Sequence, residues 1–219
     1  MKNLILLITV ILISIASFGQ KVETKYFDKK GNIANPKKAK FKQTTTTYDD
    51  GKIEKTSHKI KGNILMSKSQ YLDGKPVGIW EAYDKNGKLE SKRDFNKLVY
   101  AKPIIADKNK EEEKDSLEGH VFVPPTYGSE KDRLNYLRNK LHYPEEAKES
   151  GAQGTIYLTF VITKQGDVSN IEILRGVNPF LDYEAYRVIS EMGKWKPATV
   201  DGELIDIQLN MPVRFILAD

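Results

Sequence analysis

Few residues of this chain have the types and spacing that catalysis or metal binding would need. The chain has no cysteine, and its three histidines, His58, His120 and His142, lie too far apart in sequence to form a metal-ligand motif. Its carboxylates show no sequence context that sets a pair apart as general acid and base. Without cysteine there is also no disulfide, thiol nucleophile or acyl-cysteine lipid anchor. We therefore expect no cofactor, no metal and no enzymatic activity, and look for a protein that holds a partner.

The clearest binding chemistry lies in the backbone of the last predicted strand, which runs from about Ile205 to Leu217. Apolar residues alternate along it and predict one buried face. Pro212 has the opposite parity, and because proline has no N–H to donate, it predicts an edge strand or a nitrogen that faces away from the neighbouring strand. An edge strand can accept a peptide as an additional strand. The alternating apolar residues are Ile205, Ile207, Leu209, Met211, Val213 and Phe215.

The elements before this strand would position it. A helix is predicted from Ser129 to Leu141, capped by Ser129 with Asp132 three residues on, and Leu134, Leu137 and Leu141 would form its apolar face. Pro144 opens a short helical turn, and Gly151 is a natural stop. The alternating segments 155–163 and 168–175, joined by a turn at 164–167, predict a hairpin.

A second long helix is predicted after the hairpin. Asn178 would cap it, Pro179 would begin it and Gly193 would end it. Trp195 is interpreted as a core residue in preference to a recognition residue, because aromatic side chains dominate small cores. The helix's core stripe consists of Leu181, Ala185, Val188, Ile189 and Met192.

Residues 20–100 predict short strands joined by Asp/Asn-Gly turns. The stretch 71–95 resembles the MORN-like repeat, a β-hairpin unit of the form Tyr-x-x-Gly-x-x-x-Gly-x-Trp. Trp80 and Tyr83 could form a ligand platform there; we favour the alternative, in which they cover a thin sheet. Residues 101–119 are charged and without periodicity, which predicts a flexible linker to a second domain at 120–219.

The first 19 residues have the pattern of a secretory signal. Lys2 precedes an apolar run from Leu4 to Phe18, and Ser17-Phe18-Gly19 offers small residues for cleavage before Gln20. A helix over this run would span roughly 22 Å, less than the hydrocarbon core of roughly 30 Å. We expect a periplasmic protein after cleavage; the alternative is an uncleaved anchor in the inner membrane that faces the periplasm.

Charge is distributed unevenly along the chain. Residues 21–119 contain 23 Lys and Arg against 16 Asp and Glu, whereas residues 120–219 contain 11 against 14. The basic half could contact an anionic envelope surface, although a merely solvated surface is the simpler interpretation. No predicted helix concentrates the lysines, and a signal peptide would export the protein from the compartment that contains the genome. Nucleic acid is therefore not an expected partner.

The order helix, hairpin, helix, strand resembles the C-terminal domain of TonB-type energy transducers, especially forms common in Bacteroidetes-like bacteria. The resemblance covers about 100 of the 219 residues. The matching residues are Tyr143-Pro144, Ala147, Gly151, Gly154, Phe160, Gly166, Val168, Leu181-Asp182, Ala185, Trp195-Lys196-Pro197-Ala198, Gly202 and Pro212-Val213-Arg214-Phe215.

This resemblance implies an α+β domain with two helices on a three-stranded antiparallel sheet, preceded here by a small all-β repeat region. It implies binding of the TonB box, a plug segment of an outer-membrane receptor, by β-strand addition, with pulling by a proton-driven motor in the inner membrane. The implied contact residues lie just before the first short helix and along the last strand. They are Lys140, Leu141, His142, Tyr143, Ile205, Asp206, Ile207, Gln208, Leu209, Asn210, Met211 and Arg214.

The chain departs from such transducers in its short, signal-like apolar segment and in its lack of a proline-rich spacer. Only Pro36, Pro76 and Pro103 precede residue 120. Two hypotheses therefore remain. In one, a TonB-like periplasmic protein supports energy-coupled transport; in the other, a non-energised adaptor or scaffold binds a protein partner and cell-envelope material.

Overall fold

The computed structural model describes residues 20–101 and 119–217. The chain divides into two compact units, Met1–Lys97 and Leu98–Asp219. The predicted signal segment, 1–19, and most of the predicted linker, 102–118, lie outside the described residues. Residues 98–101, which the sequence analysis placed around the linker boundary, belong to the second unit.

Residues 20–97 of the first unit form a six-stranded antiparallel sheet in which each strand pairs with the next along the chain. A 3-10 turn at Phe95–Lys97 follows the last strand. This agrees with the all-β prediction for the front half, while a MORN-like repeat stays a prediction. The strands are β1 (Gln20–Phe27), β2 (Phe41–Tyr48), β3 (Ile53–Lys59), β4 (Ile64–Leu72), β5 (Lys75–Tyr83) and β6 (Leu89–Asp94).

Trp80 is the main buried side chain of this sheet. It packs between Tyr71 and Phe95, with ring centroids 4.9 and 5.1 Å away, and its indole N–H donates to the carbonyl oxygen of Gln70 at 2.9 Å. Tyr83 donates its hydroxyl to the Glu81 carboxylate at 2.8 Å. Trp80 therefore covers a thin sheet, as we favoured over a ligand platform.

The described residues of the second unit form three helices and two small sheets. The elements are β7 (Phe122–Val123), α1 (Glu130–Lys140), α2 (Glu145–Glu149), β8 (Gly154–Ile162), β9 (Val168–Arg175), α3 (Pro179–Ser190), β10 (Ala198–Val200), β11 (Glu203–Ile205) and β12 (Ile207–Phe215). The first sheet has the order β12-β8-β9 and the second β11-β10-β7, and all the strand pairs are antiparallel. The α+β class and the three-stranded sheet agree with the prediction. The structure has three helices where two were predicted, and the sheet β11-β10-β7 was not predicted.

The helix caps follow the predicted chemistry. Asp132 donates its backbone N–H to the Ser129 hydroxyl at 3.2 Å and accepts the Ser129 N–H at 2.8 Å, which completes a capping box. Asn178 caps α3 by accepting the N–H of Phe180 at 2.9 Å. The predicted apolar face of α1 is wrong at one position, because Leu134 is 51% exposed while Leu137 and Leu141 pack against the core.

The core of the second unit lies between α3 and the sheet β12-β8-β9. α3 contributes four residues of its predicted stripe, and β8 contributes the alternate residues Ile156, Leu158, Phe160 and Ile162, all fully buried. The fifth stripe residue, Met192, is buried but lies beyond the helix, which ends at Ser190 and not at the predicted Gly193. Trp195 is 5% exposed and packs 6.1 Å from Phe160 and 5.4 Å from Tyr127 between ring centroids. Its position in the core confirms the interpretation made from the sequence.

Gly166 allows the β8–β9 turn to pack against the Trp195 backbone. Its φ is +81°, and a Cβ placed there would lie 2.2 Å from the Trp195 carbonyl oxygen. The Trp195 N–H also donates to the Gly166 carbonyl oxygen at 2.9 Å. Any side chain at this position would therefore have to displace backbone atoms.

We expect Gly166→Ala to lower the unfolding free energy by about 2 kcal/mol or more, since left-handed strain and a backbone clash add together. Gly202→Ala is the matched control, because Gly202 has a φ of +86° and a Cβ added there would meet no atom within 4 Å. It should cost about 1 kcal/mol from conformation alone. Urea unfolding measures both, and equal losses would contradict the role given to the Trp195 backbone.

Candidate functional site

The outer edge of β12 is the longest sheet edge of the second unit. β12 pairs with β8 over nine consecutive positions, from Ile207 opposite Ile162 to Phe215 opposite Gly154. The odd-numbered residues of β12 are buried or half-buried and the even-numbered residues are exposed. The strand lies at the end of its sheet, and none of the described strands pairs with its other side.

Pro212 indicates which backbone groups point outward from β12. In an antiparallel pair, successive residues direct their N–H and C=O groups alternately toward the partner and away from it. Pro212, opposite Tyr157, has no N–H to donate, so its nitrogen belongs on the outward side. By alternation, Gln208, Asn210 and Arg214 present outward N–H groups.

Contacts across the strand pair agree with this assignment. The Leu209 carbonyl oxygen faces β8, where it accepts the Thr159 hydroxyl at 3.2 Å. The Gln208 side-chain amide donates to that same hydroxyl at 2.7 Å and helps to cover Thr159, which is 4% exposed. The odd positions of β12 therefore hold the sheet together, and the even positions are free to pair with another strand.

The opposite edge of this sheet, formed by β9, pairs with another segment at Ile173. Ile173 donates its N–H to the Val99 carbonyl oxygen at 2.7 Å and accepts the Ala101 N–H at 3.0 Å. The Tyr100 hydroxyl donates to the Asp182 carboxylate at 2.8 Å. The segment 99–101 thus takes the place of a short parallel strand, and β12 presents the open edge.

The Asp182 carboxylate that holds Tyr100 is itself buried, with 3% exposed. It also accepts the Val177 N–H at 2.9 Å. Burial raises the pKa of Asp182 despite these hydrogen bonds, and burial beside Asp182 raises the pKa of Tyr100. Asp182 matched the family pattern in the sequence, but its partner Tyr100 could not be predicted.

The predicted contact segment Lys140–Tyr143 is held in place from two sides. The Tyr143 ring packs edge-on against Phe215, with centroids 5.5 Å apart, and its hydroxyl donates to the Ala152 carbonyl oxygen. Glu184 accepts the His142 N–H at 2.7 Å, and Arg187 donates to the Lys140 carbonyl oxygen at 2.8 Å. The structure therefore brings one end of this segment against the end of β12.

Glu184 and Arg187 are positioning residues that the sequence analysis missed. The Glu184 side chain is 9% exposed, and its carboxylate accepts two hydrogen bonds from Arg187, at 2.8 and 2.7 Å. This hydrogen bonding raises the pKa of the Arg187 guanidinium, which stays charged. The i, i+3 spacing of opposite charges on α3 was the available signal, but it is common on exposed helices.

Two predicted contact residues lie away from the β12 edge. Ile205 ends β11 and pairs with Ala198 in the other small sheet, and the Asp206 carboxylate accepts the Lys164 N–H at 2.7 Å. The prediction of one strand from 205 to 217 is therefore wrong, because the chain changes sheet at Asp206. The other predicted residues of the last strand lie on β12: Ile207, Gln208, Leu209, Asn210, Met211 and Arg214.

Within residues 20–101 and 119–217, no group of three or more His, Cys, Asp or Glu side chains could hold a metal ion. No helix in the same ranges is long and apolar enough to cross a membrane.

Residues 139–217 match the family model of the Gram-negative bacterial TonB protein C-terminal. The match supports a TonB-type C-terminal domain. It begins at the end of α1 and includes Lys140–Tyr143 and all of β12, whereas segment 99–101 and β7 lie before it. This family consists of non-enzymatic transducer and binding domains of the cell envelope. Neither the curated proteins nor the solved structures contain a match to this chain.

The substitution Asp182→Asn tests the contact between Asp182 and Tyr100, which holds segment 99–101 against β9. Because the folded-state pKa of Asp182 is raised, the folded protein binds more protons than the unfolded chain between the two pKa values. Stability from this group is present at low pH and is lost as pH rises through the folded-state pKa. The unfolding free energy of the wild type minus that of Asp182→Asn should therefore fall as pH rises from 4 toward 7. A difference that does not change with pH would contradict a raised pKa of Asp182 in the folded protein.

Glu184→Gln tests the support of segment 140–143. Removing one charge of a nearly buried pair should lower the unfolding free energy by about 2 kcal/mol. Glu191→Gln is the control, since Glu191 also pairs with Arg187 but is 54% exposed, and it should cost less than about 1 kcal/mol. Hydrogen exchange at the His142 amide should speed up only in Glu184→Gln, and equal exchange in both variants would contradict the role of Glu184.

Proposed function

We propose that this protein is a TonB-like protein of the cell envelope that binds a plug segment of outer-membrane receptors along the outer edge of β12 and supports energy-coupled transport. The family match supports the transport role and gives no support to the non-energised adaptor. The observation that carries the proposal is the open edge of β12, in a sheet whose other edge is occupied by segment 99–101.

Strand addition at β12 would use the backbone groups that β8 leaves unpaired. The outward N–H groups of Gln208, Asn210 and Arg214 would donate to the incoming peptide, and the outward carbonyl groups would accept from it. Pro212 interrupts this row of donors, so the peptide would pair on both sides of a gap. Main-chain bonding would make recognition tolerant of peptide sequence.

The segment Lys140–Tyr143 would supply the second contact. Tyr143 packs against Phe215 at the end of β12, so a peptide that continues past this end would meet the segment next. His142 is well placed for this contact, because its side chain is 76% exposed while its backbone is held by Glu184.

Asn210→Pro tests the proposal most simply. Proline removes one outward donor without removing an N–H that faces β8, so binding of a receptor plug peptide should weaken by roughly fivefold, equivalent to about 1 kcal/mol. Asn210→Ala keeps the N–H and should bind as the wild type does. Fluorescence anisotropy with labelled plug peptides from the same bacterium measures both.

Gln208→Pro and Gln208→Ala form a second pair, in which the alanine variant accounts for the lost side-chain bond to Thr159. Peptide binding that is unchanged by both proline substitutions, with the fold intact by circular dichroism, would rule out strand addition at β12.

Energised transport would also require a link to a proton-driven motor in the inner membrane. That link depends on whether residues 1–19 remain attached, and N-terminal sequencing of the mature protein tests it. A mature chain that begins at Gln20 would have no direct mechanical link and would favour the adaptor.

A further inference from the structure

The order of strands in the first unit collects lysines at one end of its sheet. Because each strand pairs antiparallel with the next, the connections 28–40, 60–63 and 84–88 all lie at the same end. The first contains five lysines, the second one and the third two, and all eight are exposed. We call this end of the sheet the basic end.

Contacts between neighbouring connections confirm that the basic end is one continuous surface. Ile60 donates its backbone N–H to the Lys40 carbonyl oxygen at 2.9 Å. Lys40 in turn donates its backbone N–H to the Phe27 carbonyl oxygen at 2.8 Å. A Cβ at Gly87 would lie 3.3 Å from the Ile64 side chain. The three connections are therefore adjacent in the folded sheet.

The acidic residues of the basic end do not neutralise it. The three connections contain two of them, Asp28 and Asp84, against eight lysines, which leaves a formal charge of +6. Each aspartate accepts two backbone N–H groups within its own turn. At the opposite end of the sheet, the connections 49–52 and 73–74 contain three aspartates and one lysine.

Exposed apolar side chains lie among these lysines. Ile33 is 69% exposed, Ile60 is 37% exposed and Leu89, at the start of β6, is 46% exposed. Basic side chains around protruding apolar ones are typical of surfaces that bind the interface of an anionic membrane, where charge attracts and apolar groups insert. A solvated surface or a soluble polyanion would require the lysines but not the apolar residues.

We propose that the basic end of the first unit is a docking surface for a membrane that contains anionic phospholipid. The lysines of loop 28–40 supply most of the attraction, and Ile33 and Leu89 enter the headgroup region. This surface is distinct from the β12 edge, so it adds a membrane contact to the peptide contact and does not depend on the proposed function.

The test compares the binding of full-length protein to phosphatidylcholine vesicles with and without about 30% phosphatidylglycerol, by flotation at low and high salt. Any attachment through the apolar residues 4–18 would add to the binding of both kinds of vesicle, so the difference between them reports the electrostatic contact. We expect the wild type to prefer the anionic vesicles and to lose this preference in high salt, because salt screens exposed charges.

Two quadruple variants with the same change in charge locate the surface. Replacing Lys29, Lys30, Lys37 and Lys38 with Gln should weaken binding to anionic vesicles by at least about tenfold. Replacing Lys21, Lys52, Lys75 and Lys97 with Gln, away from the basic end, should weaken it by less than about threefold. Equal effects, or a wild type without preference, would overturn the proposal.

The double variant Ile33→Ser and Leu89→Ser separates a membrane from a soluble polyanion. It should bind anionic vesicles several-fold more weakly and bind soluble polyphosphate as the wild type does. Unchanged vesicle binding by this variant would identify the surface as a polyanion site and overturn the membrane proposal. Circular dichroism of each variant checks that the sheet is intact.

Discussion

The antiparallel pairing of β12 with β8 is the constraint on which the rest of the TonB-type domain depends. It buries Met211, Val213 and Phe215 against the core and thereby fixes which residues of β12 face outward. Because side chains and backbone groups alternate together along a strand, one register decides both the core and the free edge. A shift by one residue would expose the apolar face and turn Pro212 toward β8.

Other features of the domain leave this edge open. Residues 99–101 pair with β9 at Ile173, and Tyr100 is fixed by a buried carboxylate on α3. This segment lies before residues 139–217, which match the family. At the other side, Glu184 and Arg187 hold segment 140–143 beside the end of β12. α3 therefore supports both the closed edge and the open one.

Periodicity in the sequence predicted the elements but not the assignment of residues to sheets. The α3 stripe, the β8–β9 hairpin and the edge position of the last strand follow from apolar spacing and from Pro212. The same alternating spacing continues through Ile205, which pairs in the other small sheet. Alternation shows which face of a strand is buried but not which strand lies beside it. The contacts of Tyr100 with Asp182, and of Glu184 with His142, join residues 82 and 42 positions apart, and no local pattern reports them.

The central claim is that a receptor peptide pairs with the outward amides of β12. Backbone amide hydrogen exchange, followed by NMR with and without plug peptide, tests it residue by residue. We expect the amides of Gln208, Asn210 and Arg214 to gain protection, while those of Leu209, Met211 and Val213 are already protected and change little. Protection that appears along β9, or no change on β12 when the peptide is bound, would contradict strand addition at β12.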